Sequence, residues 1–337
     1  MSGLALVRRT AVRRTATVLG VLGLLVLGVA VIALTMGDYP LSPGEVWSAL
    51  TGGGTRVEQY VVVQVRLPRL VMALLVGSAL GVAGALLQSL LRNPLASPEL
   101  LGISGGSSLA AVFGLLILGV TGPPLAALAF AGGLAASLLL LAAARGRAAG
   151  YRLILAGIGL SFFTAAIVGF LMTKAQLQQT QSALVWLTGS LSSTPWWQVG
   201  VLAAVWLAAL PALYVLARWL PVVSLGQEAA AALGVRTGFA RVLSVVVAVL
   251  LTAVTCAFAG PIAFVALCAP AIARPLVAHG RIALAPSALV GALLLAASDL
   301  VAQFALPGVS MPVGVVTGAL GAVFLLWLLA TSKGRAL

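Results

Sequence analysis

The sequence predicts an all-α polytopic membrane protein with about ten transmembrane helices. Three observations carry this. Of the 337 residues, 62% are hydrophobic and the mean hydropathy is +1.18. Only 7% are charged, against roughly 25% in soluble domains. The charges also fall between apolar runs of roughly 20 residues, the length a helix needs to cross hydrocarbon. A soluble fold already exposes much apolar area and needs charges over the rest, so this composition excludes a soluble enzyme, a nucleic-acid module or a disordered chain. The net charge of +13, from 19 Lys+Arg against 6 Asp+Glu, therefore has to be explained by topology. Strands are excluded because the runs lack the polar alternation of a barrel wall.

The runs define the elements in order. Residues 15–37 and 70–91 each give one span. Residues 100–144 hold two, divided at Gly122-Pro123-Pro124, and 153–173 hold the fifth. The run 175–217 opens on Gln176, Gln178, Gln179, Thr180 and Gln181. That part reads as a short outer segment, followed by a sixth span from about Trp197. Residues 242–273 break at Gly260-Pro261 into a full seventh span and a short eighth. The ninth starts at 282 and continues past Asp299, and Pro307-Gly308 separates it from the tenth.

Ten spans place both termini on one side. That side collects Arg8, Arg9, Arg13, Arg14, Arg92, Arg145, Arg147, Arg152, Arg218, Arg236, Arg241, Arg274, Arg281, Lys333 and Arg335. The other holds Arg56, Arg66, Arg69 and Lys174. Cations in short loops mark the cytoplasmic face, so both termini are expected there. The whole chain, 1–337, reads as one transmembrane domain with a basic cytoplasmic tail over 1–16 and a cytoplasmic loop over 218–241. The first apolar run is long enough to span and lacks an evident small-residue cleavage site, so it does not read as a cleavable signal.

Residues that carry chemistry are scarce. Cys256 and Cys268 sit in apolar sequence and read as small core residues. The one histidine, His279, lies in a basic loop. No Cys/His spacing points to a metal, no P-loop to ATP, and no catalytic cluster can be assembled, so the chain is not expected to be an enzyme. Asp38, Glu45, Glu58, Glu99 and Glu228 fall in loops or at span ends. Asp299 alone lies within a span and reads as a pairing or helix-end group rather than an ion-coupling one. A carrier with so little intramembrane charge is expected to be driven from outside the membrane, which argues against a proton- or sodium-coupled carrier. The 38 glycines favour close helix packing, and helices able to shift against one another. Ala83-Gly84 precedes Pro94, and Ala259-Gly260 precedes Pro270, at equal spacing, as an inverted repeat would.

Three groups of motifs remain. The first is Arg66-Leu67-Pro68-Arg69, Gly77-Ser78-Ala79-Leu80, Gln88 and Arg92-Asn93-Pro94-Leu95-Ala96, then Leu101-Gly102. The second is Leu155-Ala156-Gly157 with Trp186-Leu187-Thr188-Gly189-Ser190-Leu191 and Trp197. The third is Leu225-Gly226-Gln227-Glu228-Ala229-Ala230 through Leu233-Gly234-Val235, then Ala259-Gly260-Pro261-Ile262-Ala263-Phe264-Val265, Arg274 and Pro312-Val313-Gly314. Together, over about residues 41–333, they resemble the FecCD family of ABC permeases, importers of ferric siderophores, heme and cobalamin.

The resemblance implies a type II ABC importer permease fold in a bacterial inner membrane. It also implies a second FecCD-type permease, two cytoplasmic ATPase subunits that use ATP and Mg, and an external substrate-binding protein. No cofactor, metal or nucleic acid is expected on this chain. Arg66 and Arg69 would face acidic residues of the binding protein, for which a guanidinium fork is suited; the plainer reading is interfacial anchoring. Ser224, Leu225, Gly226, Gln227, Glu228, Ala229, Leu233 and Gly234 would form the coupling helices that seat on the ATPase; the plainer reading is an amphipathic connector. Ala149, Gly150 and Tyr151 fall where a cobalamin permease of the family has an inner gate. Asn93, Pro94, Gly102, Pro312 and Gly314 are motif positions of structural type.

The chain departs from the family in several places. Pro270-Ala271 replaces Pro-His, Ser310 and Met311 precede Pro312 where Glu is common, and Gly321-Ala322-Val323-Phe324 replaces Gly-Ala-Pro-Phe. A third docking Arg becomes Gln303, which points to an asymmetric dock and so to one half of a heterodimer, with a homodimer as the alternative. The expected substrate is an iron(III)–siderophore complex, with cobalamin or heme as alternatives.

Overall fold

The computed structural model describes residues 2–143, 149–277, 283–306 and 308–331. Among these the chain is helical, with no strand. Helix α1 (Ser2–Thr35) is followed by short α2 (Pro43–Leu50) and α3 (Arg56–Gln59). A capping box opens each short helix: Ser42 with Glu45, and Thr55 with Glu58. The Ser42 N–H and hydroxyl hold the Glu45 carboxyl below its ordinary pKa. A π-helical stretch, Tyr60–Arg66, then runs without interruption into α4 (Leu67–Leu91).

Beyond α4 come α5 (Ile103–Leu116), α6 (Pro123–Ala143), α7 (Ala149–Lys174), α8 (Leu177–Thr188) and α9 (Trp196–Val223). The chain ends with α10 (Gln227–Ala232), α11 (Thr237–Ala259), α12 (Val265–Val277), α13 (Leu284–Phe304) and α14 (Val313–Thr331). Seven described helices are long and apolar enough to cross a membrane, and α5, α12 and α14 are shorter apolar ones. These ten match the runs counted in the sequence. At 1.5 Å per residue, the 14 residues of α5 reach only about 21 Å, short of the hydrocarbon thickness.

Helix α4 is the hub, packed against α9, α11, α12 and α13. It buries residues such as Met72, Val76, Ala79, Leu86 and Leu87 almost completely. Its approach to α13 and α12 depends on glycine. A Cβ on Gly77 would lie 2.3 Å from the Gly291 carbonyl oxygen, one on Gly81 2.2 Å from that of Ser287, and one on Gly84 1.7 Å from that of Ala266. Such spacing lets backbones touch where lipid gives no hydrophobic drive for helices to associate. A second crossing joins three chain breaks. A Cβ on Gly314 would meet the Thr188 oxygen at 1.6 Å, and Gly260, at φ +71°, faces the Trp186 oxygen.

Several expected boundaries move. The second span begins well before residue 70, as a continuous rod over Arg56–Leu91, because the π-helical stretch carries the helix through Arg66. The basic tail is helical from Ser2 and continues into the first span. The loop expected over 218–241 is shorter, since α9 runs to Val223 and α11 starts at Thr237. The four residues of the repeat echo sit in unlike local structure. Gly84 is in mid-helix, whereas Gly260 ends α11; Pro94 is in a loop, whereas Pro270 is inside α12.

Gly84→Val should collapse stability. Overpacking costs about 1–3 kcal/mol when side chains can yield, and here a carbonyl would have to move. The midpoint of thermal unfolding in detergent is expected to fall sharply, while Gly28→Val, on an open face of α1, leaves it unchanged.

Candidate functional site

The residues singled out from sequence gather at the two ends of the bundle. At one end, Arg66, Arg69 and Gln303 converge, and each is engaged within the chain. Arg66 donates to the carbonyls of Leu34, at 2.7 Å, and Tyr39. With a further bond to the Thr35 oxygen at 3.4 Å, it engages the last carbonyls of α1, the end where a cation interacts favourably with the helix dipole. Gly37 makes room for this, because a Cβ there would strike the guanidinium. Arg69 makes a bidentate pair with Asp299, both bonds 2.9 Å. Gln303 adds a third donor to the same carboxylate at 2.8 Å. The aspartate is thus a pairing group, joining α4 to α13.

At the other end, Gly226 (φ +115°) turns the chain into α10 and Gly234 (φ +77°) turns it out. Both breaks are where the sequence placed them, and only glycine adopts such angles without strain. Ala230 and Val235 are buried against the bundle, while Leu225, Glu228, Ala229 and Leu233 are exposed. Two leucines therefore flank a six-residue helix and leave its outer face apolar. Behind it is a cavity of about 340 Å³ lined by Arg92, Arg241, Ser89, Ser224 and Thr237. Arg92 adopts φ +49° to end α4, and its guanidinium reaches the Val223 and Ser224 carbonyls at 3.4 Å. The hub helix is thereby tied to the segment that leads into α10.

The remaining motif residues shape turns. Asn93 accepts from the Leu95 N–H at 2.9 Å, forming an Asx turn before exposed Pro94. Gly102 opens α5 at φ +68° with the Leu140 and Leu160 side chains against it. Pro312 precedes α14, whose Gly314 N–H bonds the Gly189 oxygen at 3.1 Å. Ala149, Gly150 and Tyr151 open α7, and their side chains lie outside the described residues, as do Gln227's side chain and all of His279. Cys256 and Cys268 are buried and unpaired as disulfides.

Three features were not drawn from the sequence: Arg69 as the partner of Asp299, the Gly189–Gly260–Gly314 crossing, and buried Gln88, which donates to the Leu267 oxygen. The Asp299 side was legible as a lone intramembrane acid, and the crossing showed as three separate motif glycines with nothing in the sequence to bring them together. Among the described residues no group of three His, Cys, Asp or Glu could hold a metal.

A model of the FecCD transport family matches residues 24–331. The chain belongs to this family. It is 41% identical over 297 residues to the ferric enterobactin transport system permease protein FepG of Escherichia coli (strain K12), covering 88% of this chain and 90% of that one. It is 37% identical over 314 residues to the vitamin B12 import system permease protein BtuC of Vibrio cholerae, covering 90% and 91%. A solved structure described as an inward-facing conformation of a metal-chelate type ABC transporter shares the fold. Its TM-score is 0.81 at 30% identity, covering 94% of this chain and 99% of that one. This FecCD permease is accordingly an ABC importer permease, a multi-pass protein of the inner membrane.

In this FecCD permease the Arg69–Asp299 pair is only 19% and 7% exposed. Removing one member of such a pair strands the other charge, at a cost of about 3–5 kcal/mol, whereas an apolar replacement of both is often neutral. Arg69→Met should therefore lower the thermal midpoint sharply, and Arg69→Met with Asp299→Leu should recover most of the loss.

Proposed function

We propose that this permease imports iron(III)–siderophore complexes as one half of a heterodimeric pathway. The observation that carries the substrate is the set of similar relatives. Permeases for ferric enterobactin, achromobactin and ferric dicitrate are 41%, 41% and 39% identical to this chain. Relatives named for vitamin B12 stand at 37% and 35%, so cobalamin import by the same mechanism is the second reading. Heme is a further substrate to be compared.

In the proposed mechanism α10 is the coupling helix. Exposed Leu225 and Leu233 insert into an apolar groove of a partner ATPase, which binds ATP and Mg, and Glu228 pairs with a cation at its rim. Closure of the two ATPase subunits then pushes α10, and Arg92 passes the displacement to α4. Because the cores of α4, α12 and α13 are in backbone contact, they move as one body, as rigid-body alternating access requires. An external binding protein delivers the complex at the Arg66 end. Ala149–Tyr151, opening α7, form the inner gate. Gln303 in place of a third arginine supports docking that is unequal between two different permease subunits.

The function is tested by reconstituting the chain with its ATPase, second permease and binding protein in liposomes. ATP-dependent uptake of a labelled ferric siderophore is expected, with no competition from cobalamin or heme; cobalamin uptake instead would establish the second reading. Leu225→Asp with Leu233→Asp should cut substrate-stimulated ATP hydrolysis at least tenfold while leaving the permease folded.

Docking is tested separately by affinity of the binding protein at low salt. Arg66→Glu with Arg69→Glu should weaken it more than tenfold. Because Arg69 also pairs with Asp299, Asp299→Asn serves as the comparison, and a loss no greater than in that variant would assign the arginines to folding alone.

A further inference from the structure

One large cavity has no place in the proposed transport cycle. It is a groove of about 830 Å³ between α1 and α9, floored by Val82 of α4 and by Ala288 and Leu289 of α13. Helix α1 packs on α12 and α13, while α9 packs on α4 and α11, so the two walls diverge and leave the floor open. Leu210 and Leu213 continue the apolar wall. At its charged end stands Arg218.

Arg218 lies 4.3 Å over the Tyr214 ring and bonds the Tyr214 hydroxyl. Among the described residues no Asp or Glu lines the groove, and the one ion pair is Arg69–Asp299. On the opposite wall, next to Thr15, Arg14 donates to the Leu276 oxygen at 2.8 Å and to that of Pro275 at 3.2 Å. Arg218 is therefore the cation that lines the trough itself, with Arg14 beside the opposite wall and engaged by α12. Such a shape fits a molecule with one anionic end and an unbranched apolar tail. In a membrane protein, that molecule is a phospholipid.

We propose that this groove is a binding site for an anionic phospholipid, with an acyl chain on Val82, Leu213 and Leu289 and the phosphate on Arg218. The guanidinium fork suits a phosphate, and its stacking on Tyr214 holds it at the mouth without using all of its donors. The site lies at the end of the bundle that also carries Arg92, Arg236 and Arg241, away from Arg66 and Asp299. It is independent of which substrate is carried.

The test uses the full chain purified with its partner subunits in mild detergent. It is mixed with equal amounts of phosphatidylglycerol and phosphatidylcholine and examined by native mass spectrometry. Preferential retention of phosphatidylglycerol is expected. Arg218→Gln should lower that retention about fivefold, the factor one cation is worth at a membrane surface, and Arg218→Lys should keep most of it. Ala217→Phe, at an exposed wall position, should lower retention with Arg218 intact. Equal retention of the two lipids by the native chain would overturn the proposal. So would unchanged retention in Arg218→Gln or in Ala217→Phe.

Discussion

The rest of the structure depends on the distance at which α4 passes α12 and α13. In water, helices associate because apolar side chains leave solvent. In lipid that gain is absent, and association has to come from dispersion between surfaces that fit. Dispersion falls off within a fraction of an ångström, so the contribution is large only where backbones touch. Gly77, Gly81 and Gly84 provide one such line of contact along a single helix, spaced so that each faces a carbonyl of the partner. The same stripe removes side chains that could interlock. The hub is thus tight, a contact suited to helices that hold together as one body.

Polar groups inside the bundle obey a complementary rule. A charge in hydrocarbon persists only if its bonding capacity is met. Asp299 receives two bonds from Arg69 and one from Gln303, from its own helix and from α4. The pair therefore gives the α4–α13 contact direction as well as closeness, fixing register where glycine alone would permit sliding. Arg66 does the same for α1, through the carbonyls that end it. Residues that resemble a docking surface in sequence thus already carry a structural duty. Arg69 keeps N–H donors beyond the two that Asp299 takes, and these could serve a partner as well.

The helix count, the breaks at Gly260-Pro261 and Pro123, and the turns at Gly226 and Gly234 were legible because each rests on a local property: run length, a missing N–H, or a φ only glycine tolerates. The span start at residue 56 was not, since Arg66 and Arg69 interrupt the apolar pattern and their bonding partners come from residues 27 to 230 positions away. The dipeptides Ala83-Gly84 and Ala259-Gly260 sit in unlike local structure. The same dipeptide serves close packing inside α4 and chain reversal after α11, and sequence does not separate these uses. The exposed leucines around α10 belong to a third kind. Leu225 and Leu233 were found by motif, but their exposure depends on Ala230 and Val235 turning inward, which only the packed structure decides.

That last arrangement bears on how force could enter the bundle. A six-residue helix is too short to be stable alone, because nucleation costs more than so few hydrogen bonds return. Helix α10 therefore exists through Ala230 and Val235 seated on the bundle and through the turns that bracket it. Its free face is apolar, which leaves exposed area unsatisfied until a partner covers it. Covering that face would stabilise the helix and its seat together, so an added push would reach α9 and α11 as a displacement instead of being lost as local melting. Arg92, bridging the end of α4 to Val223 and Ser224, extends the same path to the hub. A marginal six-residue helix is thus placed where binding would stiffen it, and the close backbone contacts of α4 are tied to it through Arg92.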